Sequence, residues 1–338
     1  MQYIKFPYNL SPITYHLFMV SFLAKSSMRL DQFLVKEGGL RSRAEAQRMI
    51  AAGLARVRGR AVKKSSFSVR VGDCVEYESS VAGVHEPQLR RVEICDLHLP
   101  ILYEDDACLV INKPAGFAVH PGAGMKPGTV TLLHGIAHLF QERGLPFQQD
   151  AVLAHRLDKD TTGCLLLAKT PEAHQGLQRQ FAERRVRKIY LALVWGIPKH
   201  PRAIIDAPIG RNPVRPTQMT VLGGRKSREA RSTYEVLVQG EECSLLQCHL
   251  ATGRTHQVRV HLAAIGHPIL GDRTYRSAMS DRLLEQYSIA SPCLHAWKLA
   301  FTSPSDQKEH EVWAPLPSLF QEILGRVAVV FPPPAGEG

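Results

Sequence analysis

The sequence predicts an α+β protein of two domains, and three observations lead there. Segments with helical period and segments with strict alternation both occur, so neither an all-helical nor an all-strand chain fits. At 338 residues and 44% hydrophobic composition, the chain can bury two cores. The stretch "SSVAGVHEPQL" (79–89) has no clear period and contains Gly and Pro, which places a boundary there. The expected organisation is a leader over 1–27, a small domain over 28–78, a linker over 79–98, a larger domain over 99–325 and a tail over 326–338.

The leader holds "HLFMVSFLA" (16–24), which is apolar but too short to span a bilayer and lacks the flanks of a signal peptide. It reads as disordered, or as preceding a true start at Met19 or Met28. No other segment suits a membrane span, which points to the cytoplasm. The ending "FPPPAGEG" reads as disordered.

In the small domain, "RLDQFLVKEG" (29–38) puts Leu30, Phe33 and Leu34 at helical spacing. "LRSRAEAQRMIAAG" (40–53) predicts a second helix, with Ser42 and Glu45 as a capping box and Gly53 at the C-terminal cap. Its apolar side is Ala46, Met49 and Ile50, and Arg41, Arg43 and Arg48 occupy its start and other faces. "ARVRGRAV" predicts a hairpin turning near Arg58-Gly59, and "FSVRVGDCVEY" alternates and turns at Gly72-Asp73.

Net charge is +11, concentrated in two blocks. Residues 28–70 carry +8 and residues 178–231 carry +10, on an otherwise acidic chain. Such blocks are the footprint of a polyanionic partner, and neither has the amphipathic stripe that an anionic membrane would select. The seven cysteines form no CxxC pair, which argues against a zinc ribbon or a disulfide framework and fits a reducing compartment.

In the larger domain, "CLVIN" (108–112) and "LLLAK" (165–169) read as strands. "TPEAHQGLQRQFAERR" (170–185) reads as a helix capped by Thr170 with Pro171 in its first turn. "VRKIYLALVWG" (186–196) alternates, placing Lys188, Tyr190 and Ala192 opposite Ile189, Leu191 and Leu193. In "HLATGRTHQVRVHLAAIGHPILGD" (249–272) a helix is expected to start near Thr255, so Arg254 would stand beside a helix N-terminus, a ready anion site. His256 and His261 do not share a helical face, which leaves no metal set. The densest cluster is "AHRLDKDTTGC" (154–164), with His155, Arg156, Asp158, Lys159 and Asp160 leading into the apolar strand. A solvated turn would account for such a cluster in isolation.

Residues 29–77 resemble the alpha-L RNA-binding domain named after a small-subunit ribosomal protein, through Arg29, Ser42, Arg43, Gly53, Gly59 and Gly72-Asp73. Arg58 stands where that pattern has Asn. The resemblance implies phosphate contacts with structured RNA, from Arg29, Ser42, Arg43 and Arg48. "HRLDKDTTG", "KIYLALV" and "LATGRTHQVRVHLAAIGHPILGD" together resemble the RluA-type pseudouridine synthases, supported by "YEDDACLVINKPAGFAVHPG", "CLHAWKLAFTSP" and "WAPLP" over most of 99–318.

The order of the two domains matches members that modify large-subunit ribosomal RNA. The resemblance implies a mixed, mostly antiparallel sheet with a basic cleft, acting as a monomer without metal or cofactor. It implies Asp158 as the catalytic carboxylate, Arg254 as its charge partner, Tyr190 for stacking or proton transfer, and Arg156 holding the flipped nucleotide. Two alternatives stay open: an inactive RNA-binding assembly factor on the same scaffold, and, through the DxDxT likeness of "DKDTT" (158–162), a haloacid-dehalogenase phosphatase.

Overall fold

Residues 17–40, 43–80, 94–120, 125–126, 128–215 and 217–330 are described in a computed structural model, in which the chain divides into units 1–91 and 92–338. The first unit contains β1 (Leu17–Leu23), β2 (Met28–Arg29), α1 (Leu30–Lys36), α2 (Arg43–Ala51), β3 (Ala55–Val57), β4 (Arg60–Ala61), β5 (Ser68–Val69) and β6 (Cys74–Ser80). A four-stranded sheet runs in the order β1-β6-β3-β4, and β2 pairs with β5. Leu30, Phe33 and Leu34 of α1 pack on Ala46 and Ile50 of α2 and on Val57, Val69 and Val75, as their helical spacing predicts. The β3–β4 hairpin turns through Arg58 and Gly59, with φ of 52° and 74°, the two left-handed positions of a type I′ turn. A left-handed non-glycine costs ~1–2 kcal/mol. Arg58 Nε offsets this with a 2.6 Å hydrogen bond to Asp73.

The leader expectation is corrected over its described part. Residues 17–23 form β1, antiparallel to β6 in continuous register from Leu17↔Ser80 to Leu23↔Cys74. Val20 and Phe22 alternate into the unit's core, and the Phe22 ring stacks on Tyr77. Pairing with β1 covers the outer edge of β6. Residues 1–16 and Ser42, with its capping box, lie outside the described residues.

The second unit contains β7 (Ile101–Glu104), β8 (Cys108–Lys113), α3 (Leu132–Glu142), β9 (Thr162–Ala168), α4 (Pro171–Ala182), β10 (Arg187–Trp195), β11 (Arg202–Asp206), β12 (Ile209–Arg211), β13 (Met219–Thr220) and β14 (Arg225–Arg228). It continues with β15 (Arg231–Gln239), β16 (Cys243–Leu250), α5 (Gln257–Ala264), α6 (Ala278–Gln286), β17 (Leu294–Thr302), β18 (Glu309–Trp313) and α7 (Ser318–Arg326). A nine-stranded sheet runs β11-β15-β16-β10-β17-β9-β8-β7, with β18 beside β17. The mixed, mostly antiparallel α+β architecture is as expected. The β17–β9 pair is parallel.

Alternate residues of the central strands enter cores on opposite faces. Leu109, Ile111, Leu165, Leu167, Tyr190 and Ala192 face α3 and α5. Val110 and Leu166 face α4, and Leu191 and Leu193 face α6 and α7. A sheet covered on both faces explains why these strands read as apolar runs. α3 buries seven of its eleven residues and turns His134, His138, Gln141 and Glu142 away from that buried side. Thr170 caps α4 as expected, accepting from the Ala173 N–H at 3.2 Å.

Two boundaries shift. Leu97, inside the expected linker, packs on the second core, so the larger domain begins before residue 99. Val327 and Val329, inside the expected tail, are buried against α7. Residues 81–93 and 331–338 lie outside the described residues.

The parallel joint positions the site. Thr162 and Gly163 of β9 pair with His295 and Ala296 of β17. Gly163 has φ 106°, and a Cβ there would sit 2.2 Å from the Ala296 carbonyl oxygen, so only glycine fits. The buried His295 donates from Nε2 to the Ala314 carbonyl at 3.1 Å, and its Nδ1 meets the Thr162 hydroxyl at 2.8 Å.

Candidate active site

The Asp158 turn is held from beneath by a lysine. Lys113, at the end of β8, is fully buried, and its ammonium donates to the carbonyls of Pro114 (2.9 Å), Lys159 (2.8 Å) and Thr161 (3.0 Å). Burial pushes its pKa down to about 8, against the pull of Asp160 and Asp158. Leu157 and Thr161 are buried on either side, so the turn is anchored at both ends while the Asp158 side chain keeps 24% exposure. The cluster is therefore no freely solvated turn.

The carboxylate faces a cleft of about 870 Å³ lined also by His120, Arg156, Lys188, Tyr190, Arg254 and Arg259. Its charge partner is Arg259, whose Nη1 donates to Asp158 Oδ2 at 3.2 Å. The other edge of the guanidinium is clamped by Asp272, with Nε to Oδ2 at 2.6 Å and Nη2 to Oδ1 at 2.9 Å. Asp272 is fully buried and also accepts from the backbone N–H groups of Thr274 and Tyr275. The Tyr275 ring lies under the guanidinium, and its hydroxyl meets His256 Nδ1 at 2.8 Å. Burial works against the charge on Arg259, but Asp272 and Asp158 outweigh it and raise its pKa.

This corrects the pairing expected of Arg254. α5 begins at Gln257, after His256 in a left-handed conformation, φ 57°. That start puts Arg259 in the first turn, while Arg254 precedes the helix. Arg254 Nε donates to the Glu229 carbonyl at 3.0 Å, and its backbone N–H donates to the buried Gln257 side chain. Arg254 still lines the cleft. Arg259, Asp272, Lys113 and Lys188 were missed. The available signal was an arginine one position from the buried stripe of Val258 and Leu262, with an acid closing the same segment at Asp272.

Tyr190 is 8% exposed on the cleft side of β10. Burial first, then the Asp158 charge, raises its phenol above the ordinary value, so the hydroxyl stays protonated. Arg156 is exposed at the cleft, where its charge adds to burial in lowering the pKa of His120. His155 turns inward: its Nε2 accepts from the Leu166 N–H at 3.0 Å and its ring stacks on Phe181.

In the first unit, the fully buried Asp31 accepts from Arg29 Nε and Nη2 (3.0 Å each), Arg43 Nε (2.9 Å) and Gln47 Nε2 (3.0 Å). The side chains of Arg29 and Arg43 remain about half exposed, and Arg48 is exposed on α2. The arrangement suits phosphate: two preorganised guanidinium groups held by one acid.

A carboxylate held by a fixed guanidinium, in a cleft with a protonated phenol and several cations, can act on an anionic substrate as nucleophile or base. The RNA pseudouridylate synthase family matches residues 107–264, and the S4 domain matches residues 28–75. A protein of Aquifex aeolicus named an uncharacterized RNA pseudouridine synthase is 38% identical over 283 residues, 82% of this chain and 86% of that protein. Ribosomal large subunit pseudouridine synthase D of Nitrosomonas europaea is 44% identical over 67% of this chain and 64% of its own length. The solved structure of human RNA Pseudouridylate Synthase Domain Containing 4 superposes with a TM-score of 0.55 at 27% identity, covering 69% of this chain and 94% of that one.

Proposed function

We propose that this chain, which belongs to the RNA pseudouridylate synthase family and isomerises uridine to pseudouridine in RNA, takes large-subunit ribosomal RNA as substrate with Asp158 as its catalytic carboxylate. The observation that carries the site assignment is the Asp158 carboxylate facing the cleft on a guanidinium that Asp272 and Tyr275 immobilise. The large-subunit substrate is supported by the name of the Nitrosomonas relative and by the S4 domain, an RNA-binding module. We place this action in the cytoplasm and take the protein as a monomer; among the described residues no helix is long and apolar enough to cross a membrane.

The reaction breaks the bond from the ribose to the uracil nitrogen, turns the base and joins carbon five to the same ribose carbon. The hydrogen of carbon five leaves as a proton while the freed ring nitrogen takes one up, so neither water nor electrons are consumed. Asp158 either attacks the sugar or base, or takes a proton from the ribose. Arg259 keeps it aimed without rearrangement during the reaction. Tyr190, a buried phenol kept protonated, serves the base through its ring. Arg156 holds the extruded nucleotide, and Arg254 contacts substrate from the cleft wall. In the S4 unit, Arg29 and Arg43 present their forks to backbone phosphates, joined by Ser42 and Arg48.

Large-subunit ribosomal RNA carrying tritium at carbon five of uridine tests this. The purified protein should release tritium at constant RNA mass, without free uracil or phosphate. Tyr190→Phe should cost less than tenfold and Tyr190→Ala far more, because stacking needs the ring alone. No release from ribosomal RNA or subunit precursors would move the weight to an inactive assembly factor.

A further inference from the structure

Of the two cleft lysines that the proposed chemistry leaves unused, Lys159 is exposed and Lys188 is half-buried. Lys188 lies two residues before Tyr190 on β10, and because strand side chains alternate, both face the same cleft. Its ammonium stands 5.7 Å from the Phe181 ring centroid on one side. On the other lies Gly253, where a Cβ would come within 3.5 Å of Nζ. Its polar surroundings differ from those of the other buried cations. Arg259 is engaged by two carboxylates and Lys113 by three carbonyls, whereas among the described residues the Lys188 ammonium makes neither a hydrogen bond nor an ion pair and meets only the Phe181 ring. Burial pushes its pKa down to about 8. A half-buried ammonium without an anion is unfavourable, and an incoming anion would relieve that cost.

We propose that Lys188 is a substrate-binding residue whose ammonium takes the phosphodiester beside the target uridine, so that the nucleotide is held by its base at Tyr190 and by its backbone at Lys188. The proposal rests on reading the cleft as the uridine site. Adjacent same-face positions on a strand are ~7 Å apart, which suits a base and its own phosphate. Phe181 shields the lysine stem, and the absence of a side chain at Gly253 leaves the ammonium room for a phosphate oxygen. Being a compact point charge, lysine needs no fixed approach direction, which suits a backbone that moves as the base turns.

The test uses the full-length protein and tritium-labelled ribosomal RNA in single-turnover reactions at several salt concentrations. Lys188→Met removes the charge and keeps the length that packs on Phe181. It should weaken half-saturation about 5- to 20-fold and reduce the slope of log affinity against log salt by ~0.7, the contribution of one phosphate on a single strand. The rate at saturating RNA should stay within about threefold, and Lys188→Arg should recover most of the salt slope. If Lys188→Met does not fold, Lys188→Gln carries the same expectations. An unchanged affinity and slope would overturn the proposal. So would a fall in saturated rate at unchanged affinity, which would make Lys188 a support of the catalytic geometry. Wild-type tritium release separates the two readings: if it is absent, the uridine site itself fails; if it is present while the salt slope is unmoved, Lys188 alone fails.

Discussion

In the S4 unit one buried carboxylate, Asp31, is shared by two arginines and a glutamine, whereas in the catalytic unit one guanidinium, Arg259, is shared by two carboxylates. The residual charge follows the stoichiometry. Around Asp31 the excess is positive and sits on half-exposed arginine forks. Around Arg259 the excess is negative, and of the two acids Asp272 is sealed while Asp158 reaches the cleft. The same ion-pair chemistry thus prepares a surface for a polyanion in one place and an available carboxylate in the other. In each case the fully buried acid is the fixed element and the partly exposed group is the one to which the proposed function gives the work.

Breaking the working acid should give the largest effect. Asp158→Asn keeps size and removes charge, and tritium release is expected to fall ~10⁴-fold or more with RNA affinity within a few-fold. Residual turnover within tenfold of wild type would remove Asp158 from the chemistry. Next comes Arg259→Ala, expected to cost ~10²–10³-fold in turnover through loss of a preorganised charge. Arg254→Ala should cost no more than about tenfold, mainly in half-saturation. The reverse order would return the pairing to Arg254.

Asp272→Asn touches no substrate but frees one edge of the guanidinium. A turnover loss of ~10²-fold at unchanged half-saturation is expected, since a small misplacement of a catalytic group costs that much. An unchanged rate would make the Asp272 clamp merely structural. Asp31→Ala should instead leave the saturated rate alone, weaken RNA binding about 5- to 10-fold with a flatter salt dependence, and cost on the order of 1–3 kcal/mol of stability in the S4 unit. An effect on turnover rather than binding would break the parallel between the two acids.

The smallest effect is an acid response that separates the units. Burial, with the Lys188 charge added, pushes the His155 pKa down to about 3, and burial brings His295 to about 4. An unfolded chain takes up protons at these rings below ~6.5, while the folded chain does not until far lower. Their contribution is therefore complete above that value and declines as pH falls from it toward 4. Residues 28–78 contain no histidine. Burial alone would raise the Asp31 pKa, but Arg29, Gln47 and Arg43 outweigh it and hold the carboxyl well below its usual range, so its contribution persists until pH falls beneath that range. Hydrogen exchange at pH 5 against pH 7 should show the catalytic unit loosening first. Equal loss in both units would mean that other groups dominate.

Local chemistry was legible where the physics is local. The helix of residues 171–182 follows from its Thr-Pro start and apolar spacing, and the 58–59 turn from a glycine between alternating residues. The two faces of β10 follow from a period of two, which placed Tyr190 opposite Leu191 and Leu193. Asp158 stood out because charges crowd the start of a core strand. The apolar run of residues 17–23 is equally present, but its length and flanks bear on a membrane or signal segment and not on its pairing with β6.

The identity of the partner of Asp158 was decided by the tertiary structure. Arg254 and Arg259 lie five positions apart in one stretch, and the left-handed backbone at His256 determines which of them enters α5 and points at an acid 101 positions away. Lys113 and Asp272 are similarly silent in sequence, since each works through groups brought together only by the sheet. Periodicity records which face of an element is buried. It carries no information on which buried charge will meet which, because that depends on how distant elements close over one another and exclude water.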